Sequence, residues 1–288
     1  MLIPKKVTDR IVSTVAQFQK VLQNAKDRDV NESDTVLIIS DILAQVFGFD
    51  KYSEVTSEFA IRGTYCDLAI KLDSKVEYLL EAKAIGIDLK ESHLRQAVDY
   101  GANHGIAYIV LSNGVWWQIH KIRFEQPISS QKICEFNFLE LNPRKTDDQE
   151  KLFLLSKEGL QRKAITEYHD HVEVVNRFMI SAVLQGDPVV DLVRKELRKV
   201  SDGLRIDPEE IRVVIQSEVL KRDVIEGEEA IQAMSKIRRA MARAQRKQQK
   251  PEEQSNTSSD ELSSLSNAPL PDQSAIATDN QPEAASIA

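Results

Sequence analysis

The chain is poor in cysteine, with only Cys66 and Cys134 among its 288 residues. Two thiols are too few for a disulfide scaffold or a cysteine-ligated zinc site, and a reducing cytoplasm is the expected compartment. Long apolar runs are missing. Nothing approaches the roughly 20 consecutive residues that a membrane span requires, and the opening MLIPKKVTDR has no apolar signal core. There is no GxxxxGK[ST] stretch, which excludes a phosphate-cradling loop for ATP and with it a motor in this chain. A basic excess is missing as well: 38 Lys+Arg stand against 45 Asp+Glu, a net charge of -7.

That deficit is unevenly placed. From Lys250 onward there is one basic residue and seven acidic ones, while Ala230 to Lys250 holds seven basic residues and no acidic one. A nucleic-acid partner is therefore not excluded by net charge. Four of the nine prolines lie after residue 250 among Ser, Asn, Asp and Gln, a composition that predicts a disordered acidic tail over 251–288.

What is present reads as an α/β core followed by helices. Val7, Ile11, Val15, Phe18 and Leu22 recur at helical spacing and predict a helix over about 5–26. A second helix is expected from Ser33 to Phe47, capped by Ser33 or Asp34 and stopped by Gly48. Strands are expected at Val55–Ile61, Tyr65–Leu72, Val76–Ile85, Ile106–Leu111, Val115–Arg123 and Ile133–Leu139, with turns at Arg62-Gly63, Asp73-Ser74 and Ser112-Asn113-Gly114. A helix over Asp88–His104 joins the third and fourth strands. From Lys151 the pattern is helical to Lys250, with breaks at Gly186-Asp187-Pro188 and Asp207-Pro208, and predicts three or four helices. The expected domains are a mixed sheet flanked by helices over 1–145, an all-α accessory domain over 146–250 ending in a basic helix, and the tail.

The informative segment is the third strand, EYLLEAKAI. Alternate residues of a strand share a face, so Glu81 and Lys83 point one way and Ala82 the other. Two charges interrupt a run otherwise fit for a core, and burying them is costly unless they are paired or metal-bound. Asp67 interrupts the preceding strand in the same way. If the two strands pair antiparallel, Asp67 and Glu81 meet at one edge. Adjacent carboxylates repel unless a cation lies between them. Hard oxygen ligands suit Mg2+, or Mn2+ in its place, and a lysine beside them suits phosphoryl chemistry. For the bare residues alone, a structural salt bridge is the favoured reading, since so short a motif has little specificity.

The order of motifs adds to this. Asn31-Glu32 comes before a helix, followed by Phe47-Gly48-Phe49-Asp50, Ser57-Glu58, Arg62-Gly63, Cys66-Asp67-Leu68-Ala69-Ile70 and Leu80-Glu81-Ala82-Lys83-Ala84. Gln96-Ala97-Val98-Asp99-Tyr100 and Leu111-Ser112-Asn113-Gly114-Val115-Trp116-Trp117 complete the series. From about Asn31 to Ile122 the chain resembles the PD-(D/E)xK nuclease superfamily. It is most similar to the N-terminal nuclease domain of type I restriction enzyme R subunits and to free-standing predicted type IV restriction endonucleases. The resemblance implies a Mg2+-dependent DNA endonuclease of a restriction or defence system. Asp67, Glu81 and the Ala82 carbonyl would be its metal ligands and Lys83 its catalytic lysine. Glu32 would complete the site, Gln96 and Tyr100 would form the Gln-x-x-x-Tyr motif, and Glu58 would be a bracing residue. Cys66 stands where the family has proline. The R subunit's helicase motor has no counterpart here, so ATP-driven translocation does not carry over: either a separate motor or specificity subunit supplies it, or the protein cuts DNA without it, alone or as a homo-oligomer. A reading from another class is a non-catalytic module that binds nucleic acid or protein on the same fold.

Three further features have plainer readings. Trp116-Trp117 after Asn113-Gly114 reads as hairpin packing rather than a base-stacking platform. His169 and His171 point apart on a helix and are expected to be solvated. Lys236, Arg238, Arg239, Arg243, Arg246 and Lys247 lie on an amphipathic basic helix that would contact phosphates, a partner helix, a membrane surface or only solvent.

Overall fold

The structure, a computed structural model, describes residues 1–61, 64–201 and 203–248, with the side chains of 58–61, 64, 65 and 245–248 outside the description. The Arg62-Gly63 turn, the Glu58 side chain and the 251–288 tail therefore lie outside the described residues. The chain forms two compact units, 1–176 and 177 onward, so three helices expected in the accessory domain group with the sheet.

In the first unit, helix α1 (Lys5–Asp27) buries Val7, Ile11, Val15, Phe18 and Leu22, the stripe its periodicity predicts. Helix α2 spans Glu32–Gln45. Its cap is Asn31 rather than Ser33 or Asp34: the Asn31 side chain accepts from the Asp34 N–H at 2.9 Å. That bond satisfies a donor that the first helical turn leaves free.

Six strands follow: β1 (Val55–Ile61), β2 (Thr64–Leu72), β3 (Lys75–Ala82), β4 (Tyr108–Ser112), β5 (Trp116–Arg123) and β6 (Ser129–Asn137). They lie in sequence order in one sheet. Every neighbour pair is antiparallel except β3 and β4, which are joined across the sheet by helix α3 (Arg95–His104). The molecule is thus mixed α/β with a mostly antiparallel sheet.

Several expected elements differ at their ends. Strand β3 stops at Ala82, three residues short of the expected Ile85, so Lys83 follows the strand instead of lying in it. The helix expected from Asp88 begins with a 3-10 turn at Glu91–Leu94, because Lys90 before it is extended. Strand β6 begins four residues before Ile133, since its pairing with β5 runs from Arg123↔Ser129 to Trp116↔Asn137. Phe138–Glu140 beyond it is a 3-10 turn capped by the Asn137 side chain. Pairing with a neighbour extended a strand whose polar first half carries little pattern of its own.

Leu68, Ile70, Tyr78, Leu80, Ala82, Val110 and Trp117 pack on one sheet face in the same core as α1 and α2. Leu79, Ile109 and Leu111 face the other way and meet α3 residues or their neighbours. Tyr78 is fully buried, and its hydroxyl has no hydrogen-bond partner among the described residues. An unsatisfied buried hydroxyl costs about 1–3 kcal/mol. Tyr78→Phe is therefore expected to leave the fold unchanged and raise stability by about 1 kcal/mol, measured by chemical denaturation. A loss of stability would show that the hydroxyl has a partner.

Helices α4 (Thr146–Leu155), α5 (Lys157–Gln161) and α6 (Ala164–Val174) complete the first unit. The second contains α7 (Arg177–Leu184), α8 (Asp187–Val200), α9 (Pro208–Val214), α10 (Arg222–Ile225) and α11 (Glu228–Gln248). The breaks at Asp187 and Asp207 start helices as expected, and Asp207 forms a capping box with Glu210. Among the described residues there are eight α-helices in place of three or four; except at Gly227 before α11, the added stops carry no Pro or Gly signal. Ser156 ends α4 and caps α5, and Lys163 adopts φ 57° before α6.

Candidate active site

The site forms where β3 parts from β2. Their ladder ends at Leu68↔Leu80. One step further, the Ala82 N–H donates to Asp67 Oδ2 at 2.7 Å instead of to a backbone carbonyl. On its other side β3 continues beside β4, with Glu81↔Leu111 and Ala82↔Ser112 paired and the Lys83 N–H bonded to the Ser112 carbonyl at 2.9 Å. A side chain acting as strand partner opens a fork between two strands, and the charged residues lie in that fork.

Lys83 Nζ is the centre of the group. It donates to Glu81 Oε1 at 2.8 Å and to the Ala82 carbonyl at 2.6 Å. Glu32 Oε2, from the first turn of α2, lies 3.5 Å away. One cation thus faces three oxygen-bearing groups, with Asp67 anchored on the N–H of Ala82, the residue before Lys83. Glu81 is buried and Lys83 and Asp67 are half-buried.

The electrostatics follow from this crowding. Burial raises the Asp67 carboxyl above its ordinary value, although the Ala82 N–H and Lys83 oppose it. Burial likewise raises Glu81; the Lys83 hydrogen bond lowers it, and the charges of Asp67 and Glu32 raise it again. For Lys83, burial acts downward, but the hydrogen bond to Glu81 and the fields of Glu81, Glu32 and Asp67 together outweigh it, so the ammonium is raised. One lysine among three carboxylates leaves the group short of positive charge.

The surroundings are held by residues that the sequence reading did not single out. The Asn113 side chain donates to the carbonyls of Ile85 (3.3 Å) and Ile87 (3.0 Å) and accepts from the N–H groups of Val115 and Trp116. It ties the loop after β3 to the β4–β5 hairpin. In the same loop Gly86 comes so close to the Asp29 carboxylate that a Cβ there would collide with it. Asn-Gly reads as a turn signal from sequence, and only the fold shows its side chain bracing the β3 loop.

Asp67, Glu81, Ala82, Lys83 and Glu32 are brought together, whereas the Gln-x-x-x-Tyr pair is split. Tyr100 is buried, stacks on His104 at 4.3 Å between centroids, and packs beside Cys66 and Leu79. Gln96 is exposed one turn earlier. Cys66 is buried, its Sγ lies 3.3 Å from the Leu80 carbonyl, and burial with the nearby Glu81 and Asp67 charges pushes its thiol up to about 12. That keeps it protonated and unreactive.

Trp117 is buried, edge-on to Phe47, with its indole N–H on the Gly114 carbonyl, while Trp116 is 40% exposed. His169 is not solvated as expected. It is half-buried with Nδ1 3.3 Å from Lys121 Nζ, while His171 is exposed.

Among the described residues, no group of three or more His, Cys, Asp or Glu forms a self-contained metal cage, and no helix is long and apolar enough to cross a membrane. Comparison of the chain with protein-family models, curated proteins and solved structures finds no match in any of the three.

Proposed function

We propose that this site hydrolyses phosphodiester bonds of DNA with the help of a divalent cation, in the manner of a PD-(D/E)xK endonuclease. The observation that carries the reading is the convergence of Asp67, Glu81, the Ala82 carbonyl and Lys83 at the fork between β2 and β3. The donor set fits Mg2+ or Mn2+: two carboxylates and a carbonyl are hard oxygen ligands, and Mg2+ commonly keeps several waters beside one or two protein carboxylates. Their raised carboxyl values mark them as groups that gain from an added cation. Asp67, Glu81 and the Ala82 carbonyl would hold the ion. When bound, it supplies charge neutralisation at the phosphate and a more acidic water.

The chain's own groups do the rest. The Asp67–Ala82 hydrogen bond orients one carboxylate and keeps the fork open. Lys83 donates to the attacking water or to the phosphate oxygens and offsets the charge that builds on them. Glu32 faces the same ammonium and holds it away from the apolar interior. In-line attack by water would leave a 5′-phosphate and a 3′-hydroxyl.

The 2.8 Å pairing of Lys83 with Glu81 also fits a purely structural salt bridge on a binding module. Cleavage separates the two readings. Supercoiled and linear DNA incubated with the protein are expected to be nicked and cut in Mg2+ or Mn2+, and left intact in EDTA. Binding without metal-dependent cutting, on unmodified and modified DNA alike, would overturn the enzyme reading in favour of the binding module.

A further inference from the structure

The second unit carries a basic stripe that the proposed chemistry does not use. Helix α11 (Glu228–Gln248) has two distinct faces. Ala230 and Ala233 are buried, and Met234 and Ile237 pack with Met179, Ala182 and Phe178 of α7. On the other side, Lys236, Arg239 and Arg243 are exposed. Their spacing of three and four residues places them on one helical face. Arg239 and Arg243 make no ion pair among the described residues.

We infer that this stripe is a phosphate-binding surface for double-stranded DNA. This rests on the nuclease reading only for the choice of polyanion. The packing decides among the alternatives that sequence leaves open. A helix lying in a membrane surface must insert its apolar face, and a partner helix must cover it; in α11 the middle of that face, Ala233, Met234 and Ile237, is already packed on α7. From Lys236 on, what remains outward is basic side chains among small alanines; the large apolar residue left exposed, Ile231, lies in the first turn. From Lys236 to Arg243 the stripe runs about 10 Å at 1.5 Å per residue, about three phosphates of one strand at 3.4 Å each. Such contacts bind backbone rather than bases and release counterions, so they confer affinity without sequence preference.

The test is duplex binding by the full chain in EDTA, where no cutting can occur, followed by fluorescence anisotropy across a salt series. R239A/R243A removes two contacts. It is expected to weaken binding to unrelated duplexes equally and to reduce the slope of log K against log salt by about 1.8. The affinity lost between about 50 and 200 mM salt then shrinks by about tenfold. Both side chains are exposed, so the variant is expected to keep the wild-type far-UV spectrum and melting temperature. K20A/K26A on α1 removes the same charge elsewhere and should leave the slope unchanged.

The inference is overturned by any of three results: no duplex binding by the wild type, an unchanged slope in R239A/R243A, or an equal change in K20A/K26A. Capture of the wild type by anionic phospholipid vesicles but not by duplex would overturn it in favour of a membrane. Binding that depends on Arg239 and Arg243, together with no cutting in Mg2+, would retain this inference and remove the nuclease reading.

Discussion

Replacing Lys83 with methionine is expected to lower metal-dependent DNA cleavage by about 10²–10³-fold while metal binding survives, the loss typical of a single donor aimed at developing charge. Asp67→Asn is expected to abolish cleavage by a different route. Asparagine still offers an oxygen to the Ala82 N–H, so the fork at the end of β3 is kept, but one of the two charges that would hold the cation is gone. The variants are told apart by thermal unfolding with and without Mn2+. A ligand that binds only the folded state raises the melting temperature. That rise is expected in the wild type and in Lys83→Met and absent in Asp67→Asn. A structural salt bridge makes the opposite forecast: Lys83→Met would strand the buried Glu81 carboxylate and lower stability, with no Mn2+ effect in any of the three proteins. The second pattern would remove the proposed site.

The largest effect on stability is expected far from this chemistry, at Arg10. Its guanidinium reaches from α1 to three places. Nε donates to the Val46 carbonyl at 2.9 Å and Nη2 to the Phe47 carbonyl at 3.2 Å, so it caps the end of α2. Nη1 and Nη2 grip the Glu158 carboxylate at 3.0 and 2.6 Å, a two-pronged pairing with α5. Gly48, at φ 84°, passes close enough that any Cβ there would strike the guanidinium at 2.6 Å. Burial alone would push the Glu158 carboxyl up. The hydrogen bonds from Arg10, with Lys6 alongside, outweigh it and hold the group at about 2.

Arg10→Met removes these partners and leaves a buried carboxylate with Lys6, at 3.3 Å, and a backbone N–H as its remaining partners among the described residues. The expected loss is about 3 kcal/mol at neutral pH, within the range for breaking a buried pair from one side. Arg10→Met with Glu158→Gln is expected to lose less than Arg10→Met alone, because the stranded charge is gone. Equal losses in both would show that the carbonyl contacts of Arg10, and not its ion pair, stabilise the junction. The sign with pH follows from the depressed value. The folded carboxyl gives up its proton more readily than the ordinary 4.5, so the stabilisation is complete above that pH and fades as pH falls through about 2. In Arg10→Met, this part of the acid sensitivity is expected to flatten.

Much of this protein is legible from local pattern. The apolar stripe of α1, the alternation in β2 and the continuous run in β3 need only neighbouring residues; α1 and β2 match their expected ranges closely, and β3 stops three residues early. The charges at Asp67, Glu81 and Lys83 stood out for the same reason, since each breaks an otherwise apolar run. Elements whose limits depend on a partner were read less well. The start of β6 is set by β5, and the stops between α4, α5 and α6 are set by Ser156 and a left-handed Lys163 rather than by glycine or proline.

The sequence by itself determined the elements of the sheet, the faces of the helices and the identity of the charged residues, because periodicity and the cost of burying charge act over a few positions. Only the tertiary structure decided what those residues meet. It brought Glu32 to 3.5 Å from Lys83 across β1 and β2 and turned Asn113 into a brace for the β3 loop. It also joined Arg10 to Glu158 across 148 residues and packed Ala233, Met234 and Ile237 of α11 on α7. Each of these contacts exists because sheet register and helix packing fix positions in space, and a linear pattern does not encode which distant surfaces close on one another.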